Sequence, residues 1–264
     1  MIDYHLHTPF CNHATGSMRD YIESAIKKGL AEICFLDHLI LAKDLKVPSM
    51  IPCEVPLYFL SISELKNCYK DKIKIRSGLE VDFFENKMDI IEEITGEFAF
   101  DVIAGSVHFI EIDGKLINIA SRRSLDARKN IHPDVIRKKY FEKLNLMIEC
   151  DYFDTVCHLD LIDRFKHSDG NTSGYRDILK KIKKKDKVLE INTGGYSHKK
   201  GAPYPSFDII KMCYEEGVKV TLGSDAHKPI DVGSKFKETI SIVKSIGYKN
   251  ITGFNKQNSF EIKI

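Results

Sequence analysis

Nothing in the 264 residues divides the chain. There is no Pro/Ser-rich linker, no low-complexity tract and no evident repeat, and no apolar run approaches the roughly 20 residues of a membrane-spanning helix. Those absences fit one large α/β unit, residues 1–264, with a sizeable core and no membrane partner. The first residues lack the basic and apolar regions of a secretory signal, so a cytoplasmic location is expected. A charge excess is missing as well: 40 basic residues face 38 acidic ones, a net of +2, which offers no global field for nucleic acid. The run Lys180 to Lys187 (KKIKKKDK) reads as the solvated end of a helix, where cations complement the dipole. CxxC pairs are absent too. The seven cysteines, Cys11, Cys34, Cys53, Cys68, Cys150, Cys157 and Cys213, are odd in number and scattered, which argues for a reducing compartment. Cys34, Cys157 and Cys213 lie in apolar surroundings and read as small core residues.

What the sequence does have is histidine at its start. The stretch Asp3 to His13, DYHLHTPFCNH, holds three histidines before any helix begins. Ile2, Tyr4 and Leu6 alternate with Asp3, His5 and His7 until Pro9 stops the pattern, as at the end of a strand. His5 and His7 then project from one face, the geometry that a shared metal ion needs.

Short apolar runs alternate with longer segments of helical period, the signature of repeated β-α units. Expected strands are Ile2–His5, Glu32–Leu36, Ile73–Val81, Asp101–Ser106, Thr155–His158, Val188–Asn192 and Lys219–Gly223. Expected helices are Met18–Lys28, Leu57–Lys72, Lys87–Glu97, Pro133–Asp151, Gly174–Lys185, Phe207–Glu216 and Val232–Ser245, with Gly29 and Gly217 where left-handed caps belong. Seven units predict a (β/α)7 barrel, one unit short of the usual eight. Nearly every strand then delivers an ionisable group at its C-terminal end, the open face of such a barrel: His5 and His7, Asp37 and His38, Glu80, His108, His158, and Asp225 with His227. With His13 in the first loop, seven of the ten histidines fall in this set. His132 precedes a helix start and His167 lies in a polar stretch. Of those outside the set, only His198, in a late loop, is a candidate for function.

Seven imidazoles with Glu80 and Asp225 exceed the four ligands of one zinc and the six of an octahedral ion, so two or three metals are expected. Imidazole-rich sets with few carboxylates suit zinc, iron or manganese rather than calcium. Glu80 is placed to bridge two ions. Ions roughly 3.5–4 Å apart are a standard device for hydrolysing phosphate esters.

The motifs DYHLHT, LDH, GLEVD, GSVH, CHLD and GSDAH resemble, in order and context, those of the PHP (polymerase and histidinol phosphatase) metal-dependent phosphoesterase family. The likeness runs from Asp3 to His227 and implies a distorted, TIM-like (β/α)7 barrel. It implies a first metal on His5, His7, Glu80 and Asp225, a second on Glu80, His108 and His158, and a third on His13, His38 and His227. CHLDLIDRF, Cys157 to Phe165, and EINTGGYSHKKGAPYPS, Glu190 to Ser206, resemble stretches of the family's monofunctional histidinol phosphatases. The implied reaction is hydrolysis of L-histidinol phosphate to L-histidinol and inorganic phosphate, with a hydroxide bridging two ions attacking phosphorus. Arg164 matches the arginine that helps hold the substrate phosphate there; it could instead pair with Asp160 or Asp163. The group often carries a second arginine after Asn192, and this chain has none. His198, Lys199 or Lys200 would have to supply that contact.

Asp160, Asp82 or a metal-bound water could protonate the leaving alkoxide. Asp3 and Asp37 adjoin ligands and could orient imidazoles or cap turns. Glu111, Asp113, Tyr196 and Tyr204 lie in loops expected on the open face. The insert Ile40 to Phe59 has the length of a lid. Another small phosphate ester remains the alternative substrate, and a non-catalytic metal-binding barrel the alternative class. The residues do not determine the oligomeric state.

Overall fold

The alternation of apolar runs and helical segments fixes the chain path. The structure is a computed structural model that describes residues 1–42, 47–165, 172–198 and 200–264. Strand β1, Ile2–Leu6, leads to helix α1, Met18–Lys27; β2, Glu32–Leu39, to α2, Val55–Cys68; and β3, Lys74–Asp82, to α3, Met88–Glu97. After β4, Val102–Ser106, the chain makes a hairpin of β5, Phe109–Ile112, and β6, Lys115–Asn118, and a short helix α4, Leu125–Arg128. The repeat resumes with α5, Pro133–Glu149; β7, Thr155–Val156; α6, Tyr175–Lys184; β8, Val188–Asn192; α7, Phe207–Glu216; β9, Lys219–Gly223; and α8, Phe236–Ile246. A last hairpin pairs β10, Asn250–Asn255, with β11, Asn258–Lys263.

Strands β1, β2, β3, β4, β7, β8 and β9 form one parallel sheet in that order, so each β-α unit adds its strand beside the previous one. Most of these strands are buried along their whole length, as expected of a parallel sheet covered by helices on one side and filled on the other. The sheet curls until its first and last strands meet at their C-terminal ends. There His7 N donates to Ala226 O at 3.1 Å and Leu6 bridges Ala226 in parallel. The result is the distorted seven-stranded TIM-like barrel that the periodicity predicts, with β7 reduced to two residues.

The opposite end is stoppered. Phe254 N of β10 donates to the Tyr4 hydroxyl at 2.8 Å, and the N–H groups of Lys256 and Gln257 reach Asp101. Asp101 also accepts from Lys66 Nζ at 2.7 Å and Ser77 N at 2.9 Å. The C-terminal segment, which the sequence leaves unplaced, thus covers the floor of the barrel. Among the described residues no helix is long and apolar enough to cross a membrane.

Two details differ from expectation. Helix α8 begins at Phe236 rather than Val232, because Pro229–Asp231 forms a 3-10 turn and Gly233 adopts a positive φ of 62°. Lys187 is not solvated with the rest of its lysine run: it is buried, and its Nζ donates to Cys150 O and Phe153 O at 2.7 and 2.6 Å.

Candidate metal centre

The strand ends bring together every ligand candidate that the sequence names. His5 and His7, both fully buried, lie on β1 and the residue after it, and their Nε2 atoms are 3.1 Å apart. The other nitrogen of each ring meets a carboxylate: His5 Nδ1 lies 2.5 Å from Glu190 Oε1, and His7 Nδ1 lies 3.2 Å from Asp37 Oδ1. A carboxylate can only accept, so both rings carry hydrogen on Nδ1 and turn Nε2 toward the centre. There Glu80 Oε2 is 3.4 Å from His5 Nε2, and Asp225 Oδ1 is 3.0 Å from His7 Nε2. Burial would lower both rings, but the carboxylates around them, Glu190, Asp225 and Glu80 for His5 and Asp225 and Asp37 for His7, hold them well above the ordinary histidine value. The centre thus draws positive charge to these nitrogens, which a metal ion would supply in place of protons.

Glu80, fully buried at the end of β3, is the hub. Its Oε1 lies 2.8 Å from His158 Nε2 and 3.6 Å from His108 Nε2, while its Oε2 lies 2.6 Å from His38 Nδ1. The last contact has no hydrogen-bond geometry, and both atoms are buried without a hydrogen-bond partner. Two ligand atoms aimed at a common point, rather than along a bond to each other, are what a bound ion requires. Burial alone would raise the Glu80 pKa, but His38, His5, His108 and His158 hold it well below the usual carboxylate range. Burial would likewise raise Asp225, and His5, His7 and His227 hold it well below.

The third group is also assembled. The rings of His13 and His227 are 4.6 Å apart between centroids, and those of His13 and His38 are 5.3 Å apart. The groups share a wall: ligand atoms of His7, His38 and His227 lie within 4.8 Å of one another, as do those of His5, His7 and Asp225. Burial, followed by His7, pushes His227 down to about 2, and burial lowers His38 and His108. Neutral imidazole is the form that ligates. The donor set therefore fits divalent transition metals. Asp225, φ 56°, and His158, φ 27°, hold left-handed backbone conformations that non-glycine residues seldom adopt, at a cost of about 1–3 kcal/mol each.

The surrounding carboxylates divide their work. Asp37 orients His7 and also accepts from Thr8 N at 3.1 Å. Asp3 touches no imidazole; it ties the backbone of Ser224, Gly233 and His5 together. Asp82 accepts from His108 N at 3.1 Å, and burial pushes its pKa up to about 7. Asp160 pairs with Lys200 and accepts from Ser206 N. Lys200 is thereby committed, with its side chain 1% exposed, and does not replace the missing arginine. Lys199 lies outside the described residues. Burial and the nearby Arg164 lower His198 to about 4, so it is neutral at pH 7. Arg164 forms no ion pair with Asp160 or Asp163 among the described residues, and its Nε is buried without a partner.

Of the rim candidates, Glu111 and Asp113 belong to the β5–β6 hairpin, while Tyr204 is buried with its backbone paired to Asn192. Residues 43–46 of the insert lie outside the described residues. Its last five residues, from Val55, are the start of helix α2.

Three participants escape the sequence reading. Glu190 points into the barrel from β8 and joins His5 to His158 N; Asn192 Nδ2 reaches Asp225 Oδ2 at 3.3 Å. Arg128 stacks over Phe165, which also carries Arg164, and two of its guanidinium nitrogens are buried without partners. For Glu190, the inward phase of β8 was the available signal; for Arg128, which precedes α5 by sequence, there was none.

The family model described as PHP domain matches residues 3–194. A "probable histidinol-phosphatase" of Deinococcus radiodurans is 29% identical over 96% of this chain and 96% of its own. A "histidinol-phosphatase" of Lactococcus lactis is 28% identical over 96% of this chain and 94% of its own. Among solved structures, histidinol phosphate phosphatase of Lactococcus lactis complexed with zinc, L-histidinol and phosphate superposes with a TM-score of 0.85 at 24% identity, covering 98% of each chain.

Proposed function

The chain belongs to the PHP domain family, and from that premise we propose that it is a metal-dependent phosphoric monoester hydrolase acting on L-histidinol phosphate. The observation that supports the metal half is the convergence of His5 Nε2 and His7 Nε2, 3.1 Å apart, on the carboxylates of Glu80 and Asp225. The substrate half rests on the full-length likeness to proteins named for that activity. We take residues 1–264 as one phosphoesterase domain of the cytoplasm, with a small phosphate ester rather than nucleic acid as its partner.

In this reading His5, His7, Glu80 and Asp225 hold one ion, Glu80, His108 and His158 a second, and His13, His38 and His227 a third. Zinc, iron or manganese bound there would activate water and neutralise phosphoryl oxygens. The remaining groups position. Glu190 and Asp37 fix the tautomers of His5 and His7. Arg164, with its unpaired buried Nε, offers the forked guanidinium that a phosphate accepts at two oxygens. His198, neutral beside Arg164, contributes a hydrogen bond rather than a charge, and Lys199, next to it in the sequence, is a further cation. Asp160, engaged by Lys200, is the weaker choice for protonating the leaving alkoxide, and Asp82, which holds a proton near neutrality, sits against His108.

The test is the rate of inorganic phosphate release by metal-reconstituted protein. L-histidinol phosphate is compared with an aryl phosphate, a sugar phosphate and a nucleotide. A kcat/KM for histidinol phosphate in the range of about 10⁴–10⁸ M⁻¹s⁻¹, well above the others, is expected. Weak, similar rates on all would assign the loop of residues 193–206 to another phosphate ester. No release from any, with metal bound, would make the barrel non-catalytic.

A further inference from the structure

Cys11 has no part in the ligand set above, yet its thiol is seated in the wall of the third histidine group. Ligand atoms of Cys11, His13 and His227 lie within 4.8 Å of one another. The residue is fully buried, and its thiol also lies within 4.8 Å of ligand atoms of His7 and Asp37. It closes a single 3-10 turn, Pro9–Cys11, in which Cys11 N donates to Thr8 O at 3.1 Å and Thr8 is anchored on Asp37. The sulfur is therefore placed by the backbone and one rotatable bond.

The two imidazoles are fixed independently. His13 Nδ1 lies 2.8 Å from the carbonyl oxygen of Cys11, and His227 Nδ1 lies 2.9 Å from that of Asp225. A carbonyl only accepts, so each Nδ1 carries the hydrogen and each Nε2 is left as a lone pair. One of these bonds comes from the same residue that supplies the thiol.

We propose that Cys11 is a thiolate ligand of the third metal ion beside His13 and His227. The inference rests on the reading of the histidine cluster as a metal centre. The thiol loses its proton to solvent as the sulfur-metal bond forms, and no oxidant or reductant is involved. A sulfur donor makes this position softer than the two built from imidazole and carboxylate. Zinc, ferrous iron and cobalt are favoured there over manganese.

Cys157 is the control, because its thiol groups with His5 and Glu190, whose own nitrogen and oxygen are already joined at 2.5 Å. Full-length metal-free protein is titrated with cobalt(II) alone and followed by absorption. The expected result is a thiolate-to-cobalt charge-transfer band in the near ultraviolet, present in the wild type and in Cys157→Ser and lost in Cys11→Ser, with the visible bands of the other positions kept. X-ray absorption of the zinc-loaded wild type needs no variant: about one sulfur per three zinc ions, near 2.3 Å, is expected. Three bound ions with no sulfur scatterer would overturn the proposal while leaving the metal centre intact. A band that survives Cys11→Ser and disappears in Cys157→Ser would overturn it too. Failure to bind any cobalt would remove this proposal and the metal reading together.

Discussion

His5 and His7 point their Nε2 atoms at each other across 3.1 Å, each ring braced from behind by a carboxylate, Glu190 for one and Asp37 for the other. The braces leave both Nε2 atoms turned toward Glu80 and Asp225, where a metal ion would take the place of protons. Stripping metal with a chelator should therefore lower Tm by on the order of 10 °C, the effect of a ligand present at about a thousand times its Kd. Calorimetry with and without chelator, followed by zinc add-back, measures it. An unchanged Tm would contradict the site.

Glu80 is shared by His5, His38, His108 and His158. Glu80→Gln keeps its shape and removes its charge. Bound metal should fall by at least one equivalent and kcat by about 10³-fold or more, as for loss of a principal electrostatic group. Metal analysis paired with phosphate release checks both, and full activity in the variant would end the bridging role.

Glu190 acts through His5. Glu190→Gln should weaken metal binding about 10–100-fold, the usual cost of losing such a brace, without unfolding the barrel. Gly223→Ala should resemble it, because a Cβ at Gly223 would lie 2.6 Å from His5 Cβ and collide with Glu190. Competition with a chromophoric chelator gives the affinities.

Arg164→Ala should lower kcat/KM by about 10–100-fold, the worth of charge-assisted bonds to phosphate, with Arg164→Lys restoring only part. Lys200→Met should behave differently. Breaking its buried pair with Asp160 leaves a carboxylate uncompensated, at about 3–5 kcal/mol of stability, and Asp160→Asn in the same chain should recover most of that. Denaturant unfolding separates the two residues.

Acid should act through the barrel floor. Burial would raise Asp101, but its bonds to Lys66, Ser77 and Lys256 hold it below its ordinary value. A carboxyl whose folded pKa is depressed contributes stability above its unfolded value, about 3.9, and loses it as pH falls through the folded value. Asp101→Asn should be less stable at pH 7 and lose less between pH 5 and pH 2. Parallel slopes for variant and wild type would exclude this role.

The seven parallel strands were legible because a strand buried on both faces is a largely apolar run, and most of them end near a polar group that we propose as a ligand. The β5–β6 hairpin was missed although Asp113-Gly114 between alternating residues is a hairpin signal: both turn residues take positive φ, 50° and 72°. Glu190 was missed for a different reason. It stands in β8 as Glu80 does in β3, two residues before the last, and only the closed barrel brings it against His5. The commitment of Lys200 to Asp160 was equally invisible, since no periodicity relates positions 160 and 200. Helix α2 was placed, but not its start at Val55, which takes the end of the insert into the helix.

The stopper of β10 and β11 has a consequence for how the protein is made. Tyr4 is made 250 residues before Phe254, the strand residue that braces it, and His5 well before Asp225 and His227. The ligand set that we propose for the first ion, His5 to Asp225, is therefore complete only after β9 has been made.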